Sequence, residues 1–184
     1  MKIYFARHGK SEANGKGHMT GQMDVSLAEQ GMKDAEETAK VLPSDFTLIY
    51  SSDLIRCKQT AELINKKFDL PIIYDARLRE RSLGSLQGKQ WADFSLLKEM
   101  DQNQAYDYRP YQGESVIDVR DRIFSLINEL RENKNNDKIL VVTHSGVIRL
   151  LYYLLKDKIP EKIHYASIHE FEFTDAVNDK IFDK

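Results

Sequence analysis

The sequence predicts an α/β fold, a three-layer α/β/α arrangement with a mostly parallel central sheet and helices on both faces. Two observations lead there. Short apolar runs alternate with longer segments of helical periodicity, the pattern of strands joined by crossover helices. Two of these runs, Lys2–Ala6 and Ile139–Thr143, end in a histidine followed within two residues by glycine: Arg7-His8-Gly9 and His144-Ser145-Gly146. In open α/β sheets, ligands bind at the carboxyl ends of strands, so the two histidines are placed to converge on one anion.

The elements follow in chain order. Lys2–Ala6 is the first strand. Ser26-Leu27-Ala28-Glu29 has capping-box spacing and predicts a helix start, with Met32, Ala35, Ala39 and Leu42 on one face and Pro43 at its end. Thr47–Tyr50 is a short strand. Leu54 to about Phe68 is a helix with Leu54, Cys57, Ala61 and Ile64 at helical spacing, and Pro71–Tyr74 is another strand. Asp75–Tyr111 is less regular, a loop with Gly84 and Gly88 and then a short helix near Trp91–Met100. Ser115 caps a longer helix whose stripe is Val116, Val119, Ile123, Leu126, Ile127 and Leu130. Lys138–Thr143 is a buried strand and Val147–Leu155 a helix. His169–Phe173 alternates as a half-exposed strand does, and Thr174 begins a polar tail to residue 184.

The 184 residues are 41% hydrophobic and 30% charged, which suits one domain over 1–184 with a real core. A net charge of −2 gives no reason to expect nucleic acid or a membrane surface as partner. No stretch approaches the roughly 18 apolar residues of a membrane helix. The first apolar run reads as a strand and not as a signal peptide. One cysteine, Cys57, excludes an internal disulfide and fits a reducing compartment, so a cytoplasmic location is expected. Oligomeric state is open between monomer and homodimer.

Chemistry concentrates at three strand ends. Arg56 falls at a helix start after Ser51-Ser52-Asp53-Leu54-Ile55. A guanidinium there forks onto phosphate oxygens, and helix-terminal N–H groups also favour anions. Arg7 is placed to do the same. Glu80, in the loop after the Ile72–Tyr74 run, completes the set, with Glu99, Glu114 and Asp24 as rival carboxylates. Arg79 and Arg81 flank Glu80, so a plain ion pair is its competing role.

Phe5-Ala6-Arg7-His8-Gly9-Lys10-Ser11-Glu12-Ala13-Asn14 resembles the opening signature of the histidine phosphatase superfamily, the phosphoglycerate mutase-like fold. The likeness continues in order through Thr20-Gly21, Asp24–Gly31, Ser51–Ala61, Leu78–Glu80, Gly84–Gly88, Gly113–Ser115 and His144–Gly146. It implies a two-step phosphoryl transfer with His8 as nucleophile. Arg7, Arg56 and His144 would bind the equatorial oxygens, arginines and histidines together supplying the positive charge. Asn14, Thr20 and Gly21 fall at phosphate-site positions, and the backbone of Ser145 or Gly146 adds a donor. Glu80 matches the acid that protonates the leaving oxygen, a role that needs its pKa raised by burial or phosphate charge. No metal or other cofactor is implied.

The expected activity is therefore a metal-independent phosphatase of small phosphomonoesters. Three alternatives belong beside it: a cofactor-dependent phosphoglycerate mutase, a phosphoprotein phosphatase, and a non-catalytic phospho-ligand binding module. Compactness, and the wording of Glu80–Gly88, favour phosphatase over mutase. A metal-dependent hydrolase is weaker, for want of a close ligand cluster. Tyr106, Tyr108 and Tyr111 around Arg109 read either as packing groups or as a lid over the site. Lys10, Lys16 and Arg109 are candidates for a basic mouth that selects a second negative charge. His18 is an outside candidate in the Gly15–Gly21 loop. Cys57, Trp91, His164 and His169 read as packing or surface residues.

Overall fold

The computed structural model describes residues 1–132 and 138–174. Of the expected polar tail only Thr174 falls among them. A five-stranded sheet forms the centre: β1 (Lys2–Arg7), β2 (Leu48–Ser51), β3 (Ile72–Tyr74), β4 (Ile139–Thr143) and β5 (Ile168–Glu172). Their spatial order is β3-β2-β4-β1-β5. The first four are parallel, and only edge strand β5 runs antiparallel, against β1.

Strand alternation shows the two covered faces. Ile3, Phe5, Ile139 and Val141 enter one apolar cluster, with Val119, Ile123, Leu150 and Leu151 of helices α4 (Val116–Glu132) and α5 (Ser145–Lys156). Ala6, Ile49, Leu140 and Val142 enter the other, with Ala39, Cys57, Ala61 and Ile64 from α1 (Glu29–Val41) and α2 (Ile55–Asn65). Alternate side chains of a strand point to opposite faces, so a sheet buried on both sides between two helical layers follows. A short helix, α3 (Ser95–Gln102), lies in the irregular region, preceded by single-turn 3₁₀ segments.

The chain steps outward from β1 to β2 and β3, then returns to insert β4 between β2 and β1. That reversal opens a crevice at the carboxyl ends of the β1–β4 pair, where Arg7 is registered with Thr143 and the two histidines come next. Among the described residues, no helix is long and apolar enough to cross a membrane.

Two local expectations are corrected. The capping box at Ser26 does not form: α1 starts at Glu29 behind Ala28, with no side-chain cap. The Ser11–Leu27 bridge and the Ala28 N–H bond to the Lys10 carbonyl (2.9 Å) hold that stretch extended instead. Met32 is 39% exposed, and Gly31 takes the inward position beside Ala35 and Ala39. Ser115 does cap α4, its Oγ accepting from Asp118 N–H (3.3 Å) while Asp118 Oδ2 accepts from Ser115 N–H (2.7 Å).

Candidate active site

His8 leaves the end of β1 with its backbone pinned on both sides. Its N–H donates to the Thr143 carbonyl (2.9 Å), and the next N–H, of Gly9, donates to Thr60 Oγ1 (3.0 Å) on α2. The imidazole Nδ1 sits 2.7 Å from the Gly9 carbonyl oxygen. A carbonyl only accepts, so Nδ1 carries the proton and Nε2 keeps its lone pair. Burial, then Arg56 and Arg7, push the His8 pKa well below its ordinary 6.5. The ring is therefore neutral.

His144 packs against it, ring centroids 5.1 Å apart at 61°. It is fully buried, with Nε2 2.9 Å from Ser52 Oγ and 3.3 Å from Cys57 Sγ. Burial, Arg56 and His8 push its pKa well down too. With both rings neutral, fixed positive charge comes from the arginines, which corrects the expectation that the histidines share that task. Burial raises the Cys57 thiol to about 12, so it stays protonated.

Arg7, His8, Asn14, Thr20, Arg56 and Ser145 line one cavity of about 160 Å3, with Gly21 and Glu80 beside them. Arg56 is 2% exposed and is aimed by two carbonyls: Nη1 donates to Met23 (2.7 Å) and Nη2 to Gly21 (2.8 Å). Gly21 thus also holds an arginine from behind. Arg7 is fixed by its Nη1 bond to the Ile163 carbonyl and by the Tyr165 ring, 4.0 Å from the guanidinium carbon. Among the described residues its buried Nε has no partner. Asn14 Oδ1 accepts from Ser11 N–H (2.8 Å), which orients the amide and leaves its NH2 end to donate.

Glu80 is clamped. Oε1 accepts from Arg81 N–H and Nη1, both at 3.0 Å, and Oε2 accepts from Gly146 N–H at 3.0 Å. Burial pushes its pKa up, but Arg81, the two backbone N–H groups and Arg56 outweigh that, and the carboxyl lies below its ordinary range. The raised pKa expected of an acid is not what these surrounding groups produce. The Gly146 N–H is taken by Glu80, so of the two candidate backbone donors only Ser145 stays at the cavity wall. The rival carboxylates are engaged elsewhere or turned outward. Glu114 accepts from Arg122 (2.7 Å) and Ser82 N–H (2.6 Å), Asp24 accepts from Ile55 N–H (2.6 Å), and Glu99 is exposed.

The lid and the basic mouth are corrected. Tyr106 and Tyr108 are 1% and 0% exposed, stacked at 5.5 Å in the core. Arg109 is exposed and paired with Asp107 (2.7 Å). Neither Lys10 nor Arg109 lines the cavity, and Lys16 borders the neighbouring hollow. The outer wall is instead Leu83, Trp91 and His18. Backbone pairing builds it: Met19 N–H to Lys89 carbonyl (2.8 Å), Gly88 N–H to Met19 carbonyl (2.9 Å) and Trp91 N–H to Gly17 carbonyl (3.0 Å). The sequence carried no signal for that pairing beyond Gly17 and Gly88, both at positive φ. Among the described residues, no three histidines, cysteines or carboxylates group as metal ligands would.

Neutral buried histidines have a consequence for stability. His8 and His144 titrate near 6.5 when unfolded and well below it when folded. As pH falls through 6.5, the unfolded chain binds the extra protons, so stability is lost on the acid side. Each histidine contributes a slope of about 0.7 kcal/mol per pH unit at pH 6.5, rising toward about 1.4 a unit lower. The urea midpoint is expected to hold steady near pH 8 and to drop between about pH 6.5 and 5.5. A midpoint that stays level over that interval would contradict neutral rings.

The family model for the histidine phosphatase superfamily (branch 1) matches residues 3–179. Phosphoglycerate mutase-like protein 4 of Arabidopsis thaliana is 32% identical over 185 residues, 95% of this chain and 80% of its own length. The metal-independent phosphoserine phosphatase of the same plant is 34% identical over 160 residues, 82% of this chain and 67% of its own. Among solved structures, a mycobacterial glucosyl-3-phosphoglycerate phosphatase in complex with VO3 superposes with a TM-score of 0.81 at 29% identity, covering 92% of this chain and 91% of that one.

Proposed function

The chain belongs to the histidine phosphatase superfamily, and we propose that it is a metal-independent phosphatase of small phosphomonoesters that works through a phosphohistidine on His8. The observation that carries this is the His8 tautomer: a neutral ring with its Nε2 lone pair left unprotonated, in a cavity shared with Arg7 and Arg56. The phosphatase names among its relatives support the reading. We take residues 1–184 as one domain, with a small molecule as its partner in the cytoplasm.

In the first step, the Nε2 lone pair forms the N–P bond as the ester P–O bond breaks. Arg7, Arg56, the Asn14 amide and the Ser145 N–H stabilise charge on the phosphoryl oxygens. Glu80 gives its proton to the departing oxygen, and the alcohol leaves. The substrate's negative charge opposes Arg81 and Arg56, which raises the Glu80 pKa. In the second step, the oxygen of water bonds to phosphorus as the N–P bond breaks. The water's proton returns to Glu80, and phosphate leaves with His8 neutral again. His144 backs the His8 ring, and its role in this scheme is to hold that ring in place.

Leu83, Trp91 and His18 form the outer wall, and the Arg81 cation also lines the cavity, so the panel spans charged and uncharged leaving groups. The test is phosphate release from a panel of phosphomonoesters in EDTA, with 3-phosphoglycerate included and its products analysed. Release is expected to survive EDTA and to be lost in His8→Ala. Isomerisation of 3-phosphoglycerate without release would replace this reading with a mutase. Loss of release in EDTA would replace it with metal-dependent hydrolysis.

A further inference from the structure

Arg81 lies between two carboxylates, and only one of them faces the cavity. Its Nη1 bonds Glu80 Oε1 (3.0 Å), while Nε and Nη2 fork onto the two oxygens of Asp101 on α3, Nη2 at 2.5 Å. Both Arg81 and Asp101 side chains are 12% exposed. Asp101 is held in turn, its Oδ1 accepting from Tyr108 Oη (2.9 Å), and the Tyr106 ring stands 5.3 Å from the Arg81 guanidinium carbon. Arg149 ties the end of α3 to α5 by a 2.8 Å bond to the Gln102 carbonyl. Gly146 leaves room for the cluster: a Cβ there would lie 1.9 Å from Arg81 Nη1 and 2.1 Å from Glu80 Oε1.

We propose that Asp101, outside the cavity, is a positioning residue that sets how strongly Arg81 grips the Glu80 carboxyl. This rests on the reading of Glu80 as the acid. A two-point fork is the stronger geometry for a guanidinium and carboxylate. Here it goes to Asp101, and Glu80 receives a single side-chain bond from the same cation. The remaining charged groups that act on Glu80 are Arg56, Arg7 and Arg149, with His8 and His144 neutral, and Arg149 is also the other cation near Asp101. An acid that must gain and lose a proton in each cycle works badly under an undivided buried cation. Dividing Arg81 between two carboxylates keeps the carboxyl oriented and leaves its proton within reach.

The charges predict opposite signs for the two variants. In Asp101→Asn the whole cation bears on Glu80, so protonation becomes harder. In Arg81→Met the cation is gone, so protonation becomes easier. The experiment is the pH profile of kcat/KM on an alkyl and an aryl phosphate, with melting temperatures recorded for each protein. For the alkyl ester, Asp101→Asn is expected to move the alkaline limb down by about one pH unit, tenfold in protonated fraction. Arg81→Met is expected to move it up. For the aryl ester, whose leaving oxygen needs no proton, Asp101→Asn is expected to change the rate less than about twofold. The double variant, which buries neither charge, is expected to match Arg81→Met, because Asp101 acts only through Arg81.

Limbs that move in the same direction, alkyl and aryl rates that fall together, or a double variant that adds the two effects would overturn the proposal and leave Asp101 a structural residue. A wild-type protein that releases phosphate from neither ester would instead remove the phosphatase reading on which it stands.

Discussion

Glu80→Gln is expected to slow release of phosphate from alkyl esters by about 10²–10⁴-fold, the usual contribution of a positioned general acid. An aryl ester is expected to lose much less, because a phenolate leaves without a proton. Gln preserves the shape of the side chain: its one amide oxygen can take the Oε1 place and accept from Arg81, while the NH2 at the Oε2 place loses the bond from Gly146 N–H, a loss both esters share. The difference between the two esters therefore reads proton delivery and not collapse of the loop. The alkaline limb of the alkyl profile should vanish in the variant, while the acid limb, set by His8, should remain. Equal losses on both esters would remove Glu80 from the acid role.

Gly31→Ala has the largest expected effect on the fold. On helix propensity alone alanine gains about 1 kcal/mol over glycine. At this position the added Cβ would lie 2.1 Å from the Lys10 carbonyl oxygen and 2.5 Å from its nitrogen. These are backbone atoms and cannot swing aside. Gly9 is the other half of the contact, its own Cβ meeting the Gly31 carbonyl oxygen at 2.3 Å. Overpacking of this kind typically costs about 1–3 kcal/mol, and a backbone clash sits at the upper end. The clash outweighs the propensity gain, so urea unfolding of Gly31→Ala should shift by about 2 kcal/mol or more toward instability. Because Gly9 follows His8, activity on the aryl ester should fall as well. A variant more stable than wild type would show that the two segments do not meet.

The parts legible in the sequence are those whose cause is local. Ile139–Thr143 reads as a buried strand because five apolar or β-branched residues leave no polar face. His8 and His144 declare themselves by standing where such strands stop, beside glycine. The outer wall, the Arg81 cluster and the start of α1 depend on partners far along the chain. Tyr106 and Tyr108 leave packing and a lid both open in the sequence until Asp101 and Arg81 are seen to receive them. Ser26 has the right neighbours for a cap, but its own carbonyl accepts from Glu12 N–H (3.0 Å) and the segment stays extended. Trp91, a packing residue by pattern, reaches the cavity because Gly17 and Gly88 let two loops pair. The charge state of Glu80 was beyond pattern altogether, since it is the balance of burial against Arg81 and the Gly146 N–H.

The most direct test of the central claim is to quench the enzyme with alkali during turnover of an aryl phosphate and locate the phosphate by mass spectrometry. Phosphate on a His8 peptide, lost on treatment with acid and absent from His8→Ala, is the result predicted here. Turnover with full activity in EDTA and no phosphate on His8, or phosphate on any other residue, would contradict it.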